Sequence, residues 1–191
     1  MASAVVTLPP ISSLPTVDDE TLQSILDALF EPSADLHALA IPSIRSAPSL
    51  DSYESLIKHV GDSMSQLAQS SAVPNARAKL HGILGSHPRL GEKKVESAQS
   101  RAEQAHLNAS SGGSAEKEEE AAKLKALNEE YEARFPGLRY VVFVNGRSRP
   151  VVMQNMRERI DRGDIRAEEQ EAIQAMVDIA LDRAKKLPAS G

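Results

Sequence analysis

Apolar residues recur at helical spacing along most of the chain. Leu22, Ile25, Leu26, Leu29 and Phe30 form one stripe; Thr16 or Asp18 can cap its start and Pro32 stops it. A short second helix is expected over 34–40, with Pro42 and Pro48 bracketing a loop. Tyr53, Leu56, Ile57, Val60, Met64 and Leu67 make the next stripe. Ala76, Leu80, Ile83 and Leu84 carry a helix from about 75 that Gly85 closes. A polar, Ala-rich helix over 97–108 is expected next, then a break at Ser110-Ser111-Gly112-Gly113. A long helix over 116–135 begins in a charge run and turns Ala121, Leu124, Leu127, Tyr131 and Phe135 to one side, until Pro136-Gly137 ends it. Arg139 to Val144, β-branched and aromatic, is the one strand-like run. Asn145-Gly146 formally signals a hairpin returning through Arg147 to Met153. Against the hairpin, Ser148 can cap a helix and Pro150 suits a first turn, and Val152, Met156 and Ile160 continue at helical spacing to Gly163. The last helix covers about 166–187, with Ile173, Met176, Val177, Ala180, Leu181 and Ala184 inward. The pattern predicts an all-α fold, one compact bundle of about seven or eight helices with a short extended segment near 139–144. Met1 to Pro15 shows no period and is expected to be a flexible tail before a helical domain over 16–191.

Composition narrows the chemistry. With 3% aromatics and no Trp, the core must be built from Leu, Ile, Val, Met and Ala. The absence of Cys excludes a disulfide scaffold, a thiolate metal site and a Cys nucleophile. A net charge of −5 argues against a nucleic-acid partner. No apolar run approaches the ~20 residues of a membrane span, so no membrane association is expected. The first residues lack the basic region of a signal peptide, and the final Ala189-Ser190-Gly191 is not a peroxisomal tripeptide. The expected location is cytoplasmic, or peroxisomal through another signal.

The familiar catalytic motifs H-E-x-x-H and G-x-S-x-G are missing, and Gly85 to Lys93 has the wrong spacing for a phosphate loop. The informative stretch is His81 to Gln104. His87 stands in a short loop bounded by Gly85 and Gly91, and Pro88 restricts its backbone to extended conformations. Its imidazole titrates near neutrality and can take or give a proton. Ser100, Glu103 and Gln104, three and four residues apart, share one helical surface suited to a small polar ligand. Plainer readings compete: a His before Pro is most often a loop residue, and Ser-x-x-Glu can be a capping box with Ser100 as N-cap. His81 and His106 could join His87 and Glu103 at a metal, but no two have a familiar ligand spacing, so no metal is expected. Arg157, Arg159, Arg162 and Arg166 could form an anion site, although pairing with the intervening acids is the usual outcome.

Together these segments resemble the OHCU (2-oxo-4-hydroxy-4-carboxy-5-ureidoimidazoline) decarboxylase family. His87-Pro88-Arg89-Leu90-Gly91 is similar to that family's His-Pro-Asp-Leu-Gly, with Arg89 reversing a charge. Ser100-Arg101-Ala102-Glu103-Gln104 matches its Ser-x-x-Glu-Gln element. Asn128, Tyr131, Arg134 and Phe135 resemble its Asn-x-x-Tyr-x-x-Lys-Phe, and Tyr140 to Val144 its following apolar run. Leu29-Phe30-Glu31 is similar to an early Phe-Glu element, and Arg159-Ile160 to an Arg-Leu pair before the last helix. The resemblance covers about residues 20–187. It implies an all-α lyase of urate breakdown that needs no cofactor, is often homodimeric, and converts OHCU to (S)-allantoin and carbon dioxide. It implies a catalytic His87 assisted by Glu103. Substrate contacts are implied at Pro88, Ser100, Gln104, Tyr140, Val141, Val142, Phe143, Val144 and Arg159. Such a substrate can hold the electron pair left by carbon dioxide as an enolate, so no metal or organic sink is required.

Two alternatives remain open on sequence alone. One is a related decarboxylase acting on another small ureide or oxo acid. The other is a non-catalytic helical interaction domain, presenting the polar helix from Ser114. A cavity joining His87, Glu103 and Arg159 would favour the enzyme. An exposed His87 loop with Glu103 turned away would favour the interaction domain.

Overall fold

The computed structural model describes residues 6–47, 50–70, 75–92, 97–109 and 114–189. Eight α-helices follow a short 3-10 turn among these residues: α1 Asp19–Phe30, α2 Ala34–Ser46, α3 Tyr53–Gln69, α4 Ala76–Leu84, α5 Ala98–Ala109, α6 Ser114–Arg134, α7 Arg149–Arg162 and α8 Ile165–Lys186. The all-α expectation holds. The expected Ser110 to Gly113 break lies outside the described residues.

The helices begin where the sequence supplies caps. Asp18, Ser33 and Ser52 each accept a backbone N–H from the first turn of α1, α2 and α3. Asp164 does the same for α8 through Arg166 and Ala167. The second helix runs past its expected end because Pro42 does not stop it. Pro42 and Ala38, whose carbonyl loses its helical partner, are both exposed, so that oxygen faces solvent.

α8 is the axis of the bundle. α1, α3 and α4 lie against it, α2 covers α1, α3 and α4, and α6 pairs with α7. At the α3–α8 crossing a Cβ on Gly61 would stand 2.6 Å from the Val177 Cγ2. Gly61→Ala is therefore expected to cost about 1–3 kcal/mol in a urea titration, as overpacking does. An unchanged midpoint would show that the two helices can part freely.

From Val6 onward the expected tail is packed. Leu8 and Leu14 are buried, and the Leu8 N–H donates to the Pro188 oxygen at 2.8 Å. The Tyr53 hydroxyl donates to the Pro9 oxygen, and Arg45 donates to the carbonyls of Leu14, Pro15 and Val17. Periodicity cannot show such a segment, because its burial comes from partners far away in the chain.

Residues 139–144 are extended without a partner strand among the described residues. Side chains take their carbonyls instead: Arg159 takes that of Val141 and Arg147 those of Phe143 and Val144. Asn145 and Gly146 have φ of 44° and 75°, and the turn they make leads into α7 rather than a hairpin.

Candidate active site

Arg183 lies on the inward face of α8, four residues after Ile179, and is 2% exposed. A guanidinium there requires compensating charge, because an unpaired buried ion costs several kcal/mol. Two carboxylates provide it. Arg183 Nε donates to Glu103 Oε1 at 2.8 Å, and Nη2 donates to Glu103 Oε2 at 3.0 Å and to Glu31 Oε1 at 2.7 Å. Nη1 donates to the Leu29 oxygen at 3.5 Å.

α5 completes the cluster. Ser97 Oγ accepts the Ser100 N–H at 3.0 Å, so Ser97 caps this helix, not Ser100. Both hydroxyls then donate to Glu31 Oε1, Ser97 at 2.9 Å and Ser100 at 2.6 Å. Burial works to raise the Glu31 pKa, but Arg183 and the Ser100 hydroxyl overcome it and hold the carboxyl below its ordinary value. The Glu31 backbone has φ 95° and ψ 150°, a conformation reserved almost wholly for glycine that costs about 1–3 kcal/mol. The ion cluster and the Pro32 that follows over-determine this position.

His87 stands within electrostatic reach of the same pair. Burial first, then Arg183, push its pKa down to about 4, against Glu31 and a hydrogen bond to the Phe30 backbone. The ring is neutral at pH 7. Its Nε2 is buried with no hydrogen-bond partner among the described residues. The unfolded chain protonates this histidine near 6.5, whereas the folded chain keeps it neutral down to about 4. Between those pH values the unfolded state binds the extra proton. Acidification through the window is therefore expected to cost ~3 kcal/mol of stability, and raising the pH above it should change nothing through this group. Urea titrations from pH 7 to 4 read the slope, and a flat profile would show a solvated ring.

Several motif residues hold the His87 loop. Gln104 Oε1 accepts the Gly91 N–H at 3.0 Å, and its Nε2 donates to the Arg89 oxygen at 3.2 Å. Asn128 Nδ2 donates to the Leu90 oxygen, and Arg139 to the His87 oxygen. Gly91 has φ +81°, and a Cβ there would meet Leu124 Cδ2 at 2.8 Å. Arg89 donates to Glu132 at 2.5 and 2.8 Å, so the reversed charge is paired with α6.

A cavity of about 820 Å³ opens beside the cluster, between α1, α5, α8 and residues 142–146. Glu103 and Arg183 line it, with Ser97, Asp27 and the Asp182–Lys186 pair. Of the residues singled out from sequence, Glu103, Val142, Phe143 and Val144 reach its wall. Ser100 lies in the ion cluster. His87, Pro88, Gln104, Tyr140, Val141 and Arg159 are off the wall.

Arg159 belongs to a second buried network. It pairs with Glu168, donates to the Val141 oxygen at 3.0 Å, and lies 4.7 Å from the centre of the Tyr140 ring. Tyr131 donates to the same Glu168, and the Tyr140 hydroxyl donates to Asn155 at 2.6 Å. This network supports the extended segment from behind. Among the described residues no group of three or more His, Asp or Glu is placed to hold a metal. His81 pairs with the buried Glu169, and the His106 side chain lies outside the described residues. No helix among the described residues is long and apolar enough to cross a membrane.

Sequence reasoning did not single out Arg183, and noted Glu31 only within a motif. The available signal was an arginine in register with the apolar stripe of the last helix, where a solvated charge has no place.

The fold and site define an all-α protein with a cavity whose wall carries the Glu103–Arg183 ion pair. The family model of OHCU decarboxylase matches residues 15–185, and the chain belongs to that family. Among solved structures, the crystal structure of (S)-allantoin synthase is similar, with a TM-score of 0.54 and 17% sequence identity. The likeness covers 92% of this chain and 53% of that one, so the chain corresponds to about half of that protein's length. No curated protein matches.

Proposed function

We propose that the protein decarboxylates OHCU to (S)-allantoin at the cavity bounded by Glu103 and Arg183. The observation that carries this reading is the neutral, buried His87 whose Nε2 has no partner among the described residues, set against a charged cluster at a cavity floor. Leaving a buried acceptor unpaired costs about 1–3 kcal/mol, which a bound ligand's hydroxyl would recover.

The reaction suits these groups. The bond from the ring carbon to its carboxylate breaks, carbon dioxide leaves, and the electron pair moves into the adjacent ring C=N. The nitrogen takes one proton from solvent. The hydroxyl proton passes to His87 Nε2, and the imidazolium returns a proton to the neighbouring ring carbon on one face. A ring neutral at pH 7 is in the correct state for the first transfer. Arg183 Nη1, held in place by the bonds of Nε and Nη2, can receive an anionic oxygen of the substrate. Glu103, partly exposed at the wall, can accept ureido N–H groups. His87 is buried off the cavity wall, so its Nε2 must be uncovered to the substrate for this transfer. Backbone groups of 142–144 offer further hydrogen bonds along one wall. A homodimer and a cytoplasmic or peroxisomal location accompany this proposal.

The test is circular dichroism during urate oxidation. Urate oxidase and hydroxyisourate hydrolase generate OHCU in the cuvette, with this protein added or withheld. Rapid appearance of optically active allantoin is expected only with the protein. Slow racemic product in both cases would overturn the assignment.

A further inference from the structure

The cavity is larger than a polar ureide requires, and most of its lining surface is apolar. OHCU has about fourteen non-hydrogen atoms and suits the small end of the usual ligand-cavity range, near ~300 Å³. The cavity here is about 820 Å³. Its extra length runs along α8. Ile179, Arg183 and Leu187 are four residues apart and share a face, so the cavity follows that helix for roughly 12 Å at ~1.5 Å per residue. Arg183 marks the middle of this line. On the far side of it stand Leu187 and Val6, the latter brought there by the Leu8–Pro188 hydrogen bond. Ala28, Ala98 and Ala102, on the facing helices, line the same cavity with small side chains.

We infer that this end of the cavity is a second subsite that takes an apolar substituent, so that the site accepts ureido or hydantoin-type carboxylates carrying an alkyl or aryl arm. The inference rests on the placing of a ureide carboxylate at Arg183 and Glu103 proposed above. The polar head of such a ligand would occupy the charged floor. Its arm would lie along Leu187 and Val6, beside the Asp182–Lys186 pair, whose charges satisfy one another. An arm the size of a benzyl group, once buried there, should tighten binding about 10- to 100-fold over the head alone.

The probes are hydantoin-5-acetate and its N-benzyl derivative, titrated calorimetrically into the full chain. The benzyl compound is expected to bind at least tenfold more tightly. Ala102→Leu, a substitution at an exposed helix position that fills the alanine wall, should abolish that gain. Leu187→Asp should do so independently, by placing a charge where the arm lies. Binding of the unsubstituted probe with no gain from the arm would overturn this inference and leave the decarboxylase reading standing. A gain that survives both substitutions would place the arm elsewhere and overturn it as well. Failure of both probes, together with no turnover of OHCU, would overturn the two proposals together.

Discussion

His87→Asn is expected to lower OHCU turnover by about a hundredfold to ten-thousandfold while the chain stays folded. That is the range lost when a positioned proton carrier is removed. The fold should survive because His87 is held neutral by burial, and its hydrogen bond is to the Phe30 backbone rather than to a charged partner. Glu31 and Arg183 keep each other in the variant, so no charge is stranded. Two readouts separate chemistry from structure. Circular dichroism of allantoin formation reports turnover. The loss of stability between pH 6.5 and about 4 should also disappear, because the group that titrates there is gone. Turnover near the starting rate would remove His87 from the mechanism. An unchanged acid slope would assign that slope to another group.

Arg183→Met should destabilise the chain more than His87→Asn or Gly61→Ala, by about 3–5 kcal/mol, and should also abolish ligand binding. The cost does not come from the lost attraction alone. It comes mainly from leaving Glu31, 3% exposed, without its cation. The variant's pH dependence should run opposite to that of the starting protein. With Arg183 present the Glu31 pKa is depressed, so its contribution is full above the ordinary value of 4.5 and is lost as pH falls through the lowered one. Without Arg183, burial raises that pKa, so the penalty is full at neutral pH and shrinks as acid neutralises the carboxyl. Urea titrations at pH 7 and pH 5 distinguish the two cases. The double variant Glu31→Gln/Arg183→Met should recover much of the stability but none of the binding. A single variant as stable as the starting protein would mean that water reaches Glu31.

Much of this architecture was legible from spacing. The stripe from Leu22 to Phe30 and that from Tyr53 to Leu67 became α1 and α3, and the stripe from Ile173 to Ala184 faces the core along α8. These succeed because burying one face of a helix needs only a local period. Pro42 misled because its effect depends on which side of the helix meets water. Arg139 to Val144 has strand composition, but no neighbouring strand is present among the described residues to pair with it.

The site divides in the same way. Local pattern marked out the His87 loop and the Ser100-to-Gln104 surface, since turn residues and helical spacing are short-range features. The roles within them were not local. Gln104 spends both ends of its amide on the His87 loop, and Arg159 is taken up by Glu168, nine residues later on another helix. By itself, then, the sequence determined an all-α chain, its helix faces, and the segments that carry polar chemistry. Tertiary structure alone decided that Glu31, Ser100, Glu103 and Arg183 converge, that Val6 reaches the cavity wall, and that His87 is neutral. Charge pairing and desolvation depend on which groups approach within a few ångströms, and these four come from three parts of the chain up to 152 residues apart.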